Sequence, residues 1–442
     1  MMCKIIKRLF RRKPVNPLPS HALIQAKQVG IQRQQMSPAA LKVVGRLQEN
    51  GYAAYIVGGA VRDALLGQHP KDFDVATDAT PEEARRLFNR ARIIGKRFRI
   101  VHVPFRDEII EVTTFRGDSH APTDASGRIL HDNVYGSIEN DARRRDFTFN
   151  ALYYDPFKEI IVDYHNGVAD LKARKLMMIG KPVQRYREDP VRILRAIRLA
   201  AKLHVTIDTA THKAIADCAV LLHNVPNARL FDETLKMLHS GESWQCLLMM
   251  REEGLHHDFF PLFDTLFAQP ESRIFLENAL RNTDMRIHQD KPVSSGFLFA
   301  ALLWYEVMDY WKKRTDTGEH SIPALFSAMD DVLAIQEEKL AIPRRFSSQM
   351  KEIWMLQPRF EQCIKSRVFR LLAHPRFRAG YDFLLLRATA DHTVQALANW
   401  WTSFQEADEV DREHLLQQVQ SKQKKKRPKK KPKVAHPLES PQ

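Results

Sequence analysis

At 442 residues the chain exceeds what one hydrophobic core comfortably organises, so two or three domains are expected. Its 44% apolar content supports packed cores, yet no run approaches the roughly 20 apolar residues of a membrane span, and the N-terminus lacks the apolar stretch of a secretory signal, which predicts a cytoplasmic protein. A net charge of +15 points to a polyanionic partner such as nucleic acid, and Cys3, Cys218, Cys246 and Cys363 are too scattered for a disulfide framework or a cysteine-based zinc site.

Residues 1–36 read as a basic N-terminal arm. Ile5, Ile6, Leu9 and Phe10 are set among Lys4, Lys7, Arg8, Arg11, Arg12 and Lys13. This suits a disordered arm or a short amphipathic helix resting weakly on an anionic membrane surface; Pro14 limits such a helix to about three turns, which favours disorder. Residues 39–51 carry Leu41, Val44 and Leu47 at helical spacing and lead into the first domain, 37–155.

Tyr55, Ile56 and Val57 form a strand-like run that stops at Gly58 and Gly59, and 60–66 reads as a short helix. Glycines let the backbone approach an anion closely, and the N–H groups of a helix start point at it. After Gly67 and Pro70, a strand at 72–76 alternates so that Asp72 and Asp74 share one face while Phe73 and Val75 turn to the core. Singly, the glycine pair is an ordinary turn and the aspartates belong to a solvated edge strand. In this order they set two repelling carboxylates beside a phosphate cradle, an arrangement that Mg²⁺ and a nucleoside triphosphate complete.

Thr80, Pro81, Glu82 and Glu83 have the capping pattern of a helix start, with the helix running to about Asn89. Residues 92–103 and 108–116 read as two strands joined by a turn at Arg106 and Asp107, and Glu111 joins the aspartates if its strand lies beside theirs. The polar stretch 117–133 reads as a mobile loop beside the site. A helix start at Asn140 or Asp141 leads into Arg143, Arg144, Arg145 and Asp146 and on to Asn150, followed by a strand at 160–163.

Beyond about 170 the strand signals fade. Residues 187–202 read as one helix, with Asp189 as its cap and Pro190 at its first position. Arg192, Arg195 and Arg198 recur every third residue over an arc of roughly 120°. With no acidic residue at i+4 on that face, they suggest contact with nucleotide or nucleic acid rather than a merely solvated surface. Helical spacing continues from about 205 to 415, in 228–238, 243–251 and 297–311 among others, and Trp304, Trp311, Trp354, Trp400 and Trp401 are assigned to packing. His256, His257 and Asp258 are unsurprising in a chain with 18 histidines and are not read as a metal site. Nine basic and no acidic residues fall in 422–433; Lys424, Lys425, Lys426, Arg427, Lys429, Lys430 and Lys431 belong to a tail too polar to fold, suited to binding RNA.

Gly58 to Asp63 with Asp72 and Asp74, Arg144-Arg145-Asp146 through Asn150-Ala151, and Glu188-Asp189 with Arg192 resemble the class II nucleotidyltransferases of the polymerase-β superfamily, the bacterial poly(A) polymerases and tRNA CCA-adding enzymes. These motifs span roughly residues 50–240. Residues 93–103 with 111–116 look like the poly(A) polymerase version, and the helical region and basic tail extend the likeness over most of the chain. The resemblance implies an α+β fold: a polymerase-β-like head with a small mixed sheet at 37–155, all-α neck and body domains at 156–260 and 261–415, and a disordered basic tail at 416–442.

It further implies template-independent transfer of AMP from ATP to RNA 3′ ends, a polyadenylation that promotes RNA decay in bacteria. CCA addition to tRNA is the first alternative and a catalytically inactive RNA-binding adaptor the second, disfavoured because both aspartates are present. Carried over residue by residue, Asp72 and Asp74 hold Mg²⁺, with Mn²⁺ as a substitute, and Gly58, Gly59 and Arg62 meet the triphosphate. Asp146 is the third acidic position. Arg145, Arg195 and Arg198 touch the nucleotide, while Asp189 and Arg192 read the base edge. Whether Asp146 or Glu111 completes the metal shell stays open. The implied partners are ATP, sequence-nonspecific RNA 3′ ends and RNA-decay machinery, with the protein a monomer.

Overall fold

The computed structural model describes residues 21–95, 99–117, 134–255, 270–362 and 364–426. They belong to two compact units divided between Val225 and Pro226, inside the segment expected as the neck.

The first unit contains strands β1 (Ala22–Gln25), β2 (Ala54–Val57), β3 (Asp74–Thr77), β4 (Arg92–Ile94), β5 (Ile100–Pro104), β6 (Ile109–Thr114), β7 (Leu152–Asp155) and β8 (Ile160–Asp163). They form one sheet in the order β1-β8-β7-β2-β3-β6-β5-β4. All neighbours pair antiparallel except β3 with β6. The sheet is therefore mixed, as expected, but larger. Helices α1 (Pro38–Glu49), α2 (Gly59–Leu65) and α3 (Pro81–Leu87) bury Val43, Val44, Leu47, Val61 and Ala84 in one core with Ile56, Val75, Val101 and Val112 of the sheet. A smaller cluster of Val57, Ala76, Phe115, Tyr153 and Val162 includes Ala142 of α4 (Ile138–Arg144).

Local chemistry sets the helix starts. Ser37 accepts from the N–H groups of Ala39 and Ala40, with Pro38 at the first position of α1. Thr80 and Glu83 make the expected capping box. A second box, Ser137 with Asn140, starts α4 at Ile138, ahead of the expected Asn140 or Asp141.

Several expectations need correction. The arm expected to be disordered through residue 36 joins the sheet from Ala22, because β1 pairs with β8 and Ile31 is buried behind it. The sheet runs through Asp163, past the boundary placed at 155, since β8 bridges β1 and β7. Residues 92–103 are two strands rather than one, parted at Gly95, whose φ of +82° breaks an extended run. β7, which no periodicity marked, lies buried between β2 and β8.

Past the sheet come α5 (Gly167–Lys172), α6 (Pro182–Glu188), α7 (Val191–Leu203) and α8 (Thr209–Cys218). A two-stranded parallel sheet, β9 (Lys175–Leu176) with β10 (Thr206–Ile207), shows that strands do not end at 170. The helix read over 187–202 breaks at Asp189, whose φ of −151° is extended, as the residue before a proline tends to be. The residue that caps α7 is Pro190 rather than Asp189.

The second unit is helical among its described residues: α9 (Asn227–Leu238), α10 (Ser243–Glu252), α11 (Pro270–His288), α12 (Ser295–Leu302), α13 (Trp304–Asp316), α14 (Ser321–Glu337), α15 (Arg344–Phe360), α16 (Lys365–Leu372), α17 (Phe377–Ala390), α18 (His392–Glu406) and α19 (Glu409–Lys426). Trp304, Trp354 and Trp401 are fully buried, as expected of packing residues, and Trp311 and Trp400 are half-buried. The stretch 297–311 is split at Leu303 into α12 and α13. α19 continues through Lys426 where disorder was expected from 416, because Leu416 is buried and Leu415 and Val419 pack beside it against the cluster around Trp401. His256, His257 and Asp258, most of the 117–133 loop, residues 1–20, and Arg427, Lys429, Lys430 and Lys431 lie outside the described residues. Among the described residues no helix is long and apolar enough to cross a membrane.

Candidate active site

The β2 strand ends at Gly58, which turns the chain into α2 with φ +73° and ψ −128°, a conformation that side chains rarely adopt. A Cβ placed there would lie 3.5 Å from Arg145 Nη1 and 4.0 Å from Asp74 Oδ2, so both charged groups border this glycine. A Cβ at Gly59 would meet Arg62 Nη2 at 3.5 Å.

Asp74 is the first residue of β3, in register with Val57 on one side and Glu111 of β6 on the other. Asp72 precedes the strand. Both aspartates are exposed while Phe73 and Val75 are buried, which is the expected alternation. The condition set for Glu111 is met, because β6 lies directly beside β3. Its carboxylate also lies 3.2 Å from His102 Nε2 on β5. Asp74 is pushed up to about 6, first by loss of solvation, then by the Glu111 carboxylate, with Arg145 opposing and Asp72 adding. A carboxylate raised in this way favours a compensating cation.

Among the described residues no group of three or more His, Cys, Asp or Glu side chains is arranged to hold a metal ion by itself. The two exposed aspartates nevertheless fit Mg²⁺, which takes one or two carboxylates, keeps waters and fills the remaining positions with substrate phosphates.

The cationic groups are held differently. Arg145 donates through Nε to Tyr153 Oη at 3.0 Å and to Asp141 Oδ2 at 3.2 Å, and through Nη1 to the Asn150 carbonyl at 3.4 Å. Tyr153 in turn donates to Asp141 at 2.6 Å. This network fixes the guanidinium beside Gly58. Arg62 is 6% exposed; Nε donates to Asp63 Oδ1 at 2.7 Å and Nη1 to Asn150 Oδ1 at 2.8 Å.

Asp146 does not join the other carboxylates. It accepts from the Phe147 N–H at 2.8 Å, from Asn150 Nδ2 at 3.1 Å and from Arg195 Nε at 2.8 Å. Burial alone would raise its pKa, but Arg195 and Asn150 outweigh that and hold it well below the usual carboxylate range. Phe147 and Phe149 are fully buried. A continuous relay therefore runs from Arg62 through Asn150 and Asp146 to Arg195, tying α2 to α7.

Arg192, Arg195 and Arg198 share the half-buried face of α7 as expected. No acidic residue stands four positions on from any of them, as read, but Arg192 and Arg195 find acidic partners elsewhere. Arg195 pairs with Asp146, and Arg192 donates to Glu188 at 3.3 Å and to the Arg185 carbonyl at 2.9 Å. Arg185 in turn donates to the carbonyls of Arg144 and Arg145, at 2.7 Å each. Asp189 is half-buried at the junction of α6 and α7. Asp141, Tyr153 and Arg185 are positioning residues that sequence reasoning missed, and Asn150, quoted there only as part of a motif, is a fourth.

The fold is shared with the CCA-adding enzyme of Bacillus stearothermophilus in complex with CTP: TM-score 0.56, 24% identity, 82% of this chain and 81% of that one. The chain's matches to poly(A) polymerases place this architecture, with its glycine turn and its neighbouring carboxylates on β3 and β6, among the nucleotidyltransferases. Three family models match: "Poly A polymerase head domain" at residues 54–177, "Probable RNA and SrmB- binding site of polymerase A" at 204–267, and "Polymerase A arginine-rich C-terminus" at 317–434. The chain is 43% identical to poly(A) polymerase I of Escherichia coli O6:H1 over 416 residues, 91% of this chain and 89% of that one. A CCA-adding enzyme of Lactobacillus johnsonii is 36% identical over 220 residues, 50% of this chain and 54% of that one. The chain belongs to the poly(A) polymerase I family.

Proposed function

We propose that the protein is a polynucleotide adenylyltransferase that adds AMP from ATP to RNA 3′ ends without a template and releases pyrophosphate. The observation that carries this reading is the poly(A) polymerase I likeness along nine-tenths of the chain, with Asp72 and Asp74 both present and exposed and Asp74 beside Gly58. Asp72 and Asp74 hold Mg²⁺, or Mn²⁺ in its place, which when bound lowers the pKa of the RNA 3′-hydroxyl and neutralises charge on the phosphates. Glu111, at the matching register position of β6, fits the third carboxylate role better than Asp146, whose oxygens are occupied by Arg195, Asn150 and the Phe147 N–H.

The turn at Gly58 and Gly59 admits the triphosphate close to the backbone, with Arg62 and Arg145 fixed behind it. Asp189 accepts from the adenine amino group and Arg192 donates to a ring nitrogen, so the base is chosen by protein groups; losing one such contact costs on the order of 1–3 kcal/mol of selectivity. Arg195 and Arg198 border the nucleotide from α7. Most of the acceleration comes from positioning and fixed charge. In this reading the catalytic head extends through Asp163, the basic tail holds RNA through its phosphates regardless of sequence, and the monomeric enzyme works in the cytoplasm beside RNA-decay machinery, with weak membrane contact through residues 1–13.

CCA addition is the rival, favoured by the fold shared with CCA-adding enzymes. Labelled ATP or CTP offered with an unstructured RNA primer and with tRNA lacking its end separates the two. Long adenylate products on the primer are expected. Two cytidines and one adenosine added to the tRNA, with no primer extension, would overturn the assignment.

A further inference from the structure

α7 carries a fourth cation on the arginine face. Lys202 follows Arg195 by seven residues, within about 20° of its direction around the helix axis. It is half-buried, and its electrostatic neighbours are Asp63 and Arg62 of α2, Arg198, and Asp72, one of the exposed aspartates.

Unlike Arg192 and Arg195, Lys202 makes no hydrogen bond or ion pair closer than 4 Å with any described residue. Of its two acidic neighbours, Asp63 does not pair with it, and Asp63 Oδ1 already takes Arg62 at 2.7 Å through Nε and at 2.6 Å through Nη2. Loss of solvation depresses the lysine, and Asp63 only partly opposes this. An ammonium group left half-buried and unpaired, with a guanidinium and an exposed aspartate among its charged neighbours, has a place for a further anion. Asp72 and the glycine turn mark where the phosphates of a nucleotide arrive.

We propose that Lys202 binds the β- or γ-phosphate of the incoming nucleoside triphosphate. This rests on the nucleotidyl-transfer reading above. A phosphate of the RNA backbone offers the same chemistry, and a lysine in the last turn of a helix also meets the negative end of the helix dipole; the experiment separates all three.

The full-length protein is compared with Lys202→Met, Lys202→Gln and Lys202→Arg, with Mg²⁺ present. KM is measured for ATP and for an unstructured RNA primer, binding is measured for ATP and for AMP, and melting temperature is recorded. Met and Gln are expected to raise KM for ATP about tenfold or more, the scale of a lost hydrogen bond to a charged group. AMP affinity and primer KM stay unchanged, and Arg recovers most of the loss. An unchanged ATP-to-AMP affinity ratio in both Met and Gln variants overturns the proposal. So does an effect confined to primer KM, which assigns the lysine to RNA, or a lower melting temperature alone, which assigns it to the helix end. If the wild-type protein incorporates no ATP, the functional reading itself falls; if it does and the variants match it, only the lysine assignment falls.

Discussion

The two charged banks of the first unit are built on opposite plans. On the carboxylate bank, Asp72 and Asp74 stand exposed, and Asp74 is pushed up to about 6 with Glu111 beside it. On the arginine bank, the protein supplies the counter-charges itself: Asp146 for Arg195, Glu188 for Arg192, Asp141 for Arg145 and Asp63 for Arg62. The difference teaches how a site is pre-organised without becoming inert. Guanidinium groups are long and entropically costly to hold in place, so they are fixed before substrate arrives. Short aspartates on a strand need no such support, and their charge is left for a cation to complete.

The sharpest way to break this comparison is to neutralise the carboxylate bank. Asp74→Asn is expected to lower adenylate incorporation on the order of 10³-fold, the scale of removing a group that stabilises transition-state charge. It is also expected to stabilise the metal-free protein at pH 7. Because Asp74 is raised from 3.8 to about 6, the folded state binds the extra proton between those values. Stability therefore rises as pH falls through about 6 towards 3.8, and Asn removes that rise. Urea unfolding in EDTA at pH 7 and pH 5 measures both, and a destabilised Asn variant at pH 7 would contradict the arrangement described.

A cut in the arginine bank should behave in the opposite sense. Asp146→Asn leaves Arg195 without its charge partner and weakens the relay through Asn150. For a fully buried pair the loss is about 3–5 kcal/mol; with Arg195 a third exposed, about 2 kcal/mol is expected. Asp146 lies below its ordinary value, so this contribution is present above about pH 4 and is lost as the pH falls further. The gap between wild-type and variant urea midpoints should be full at pH 7 and narrower at pH 3. Its incorporation defect should be smaller than that of Asp74→Asn.

The smallest catalytic effect is expected from the tail. Deleting 422–433 removes nine basic residues from neither bank, so single-nucleotide addition should stay near normal. RNA binding should lose part of its salt dependence, and products should shorten. A filter-binding titration across salt concentrations and the product length distribution test this; unchanged values for both would detach the tail from RNA.

The features read directly from the sequence were those set by near neighbours. The Thr80 to Glu83 box and the alternation of Asp72, Phe73, Asp74 and Val75 are decided within a few residues, and both stand in the structure. What escaped depended on distant chain. β1 is a four-residue edge strand that acquires its pairing from Asp163 and its neighbours, and β7 carries no alternation because it is buried on both faces. In the site, the glycine turn and the aspartates were legible, whereas the partners of the arginines were not. Asp146 and Arg195 are 49 positions apart, and Arg62 and Asn150 are 88 apart. Helical spacing identifies the face of α7 but not what that face meets.

The parallel pairing of β3 with β6 has a practical consequence. Asp74 and Glu111 stand level on neighbouring strands, while the crossover joining them, α3 with the β4–β5 hairpin, extends to the far edge of the sheet. Linkers in that excursion, such as the turn at Arg106 and Asp107, can be lengthened to carry a fluorophore or an affinity handle, because the register of the two acidic residues is set by ladder bonds and not by the length of the route between them. The β5–β6 turn is thus the natural point at which to instrument this enzyme while it works.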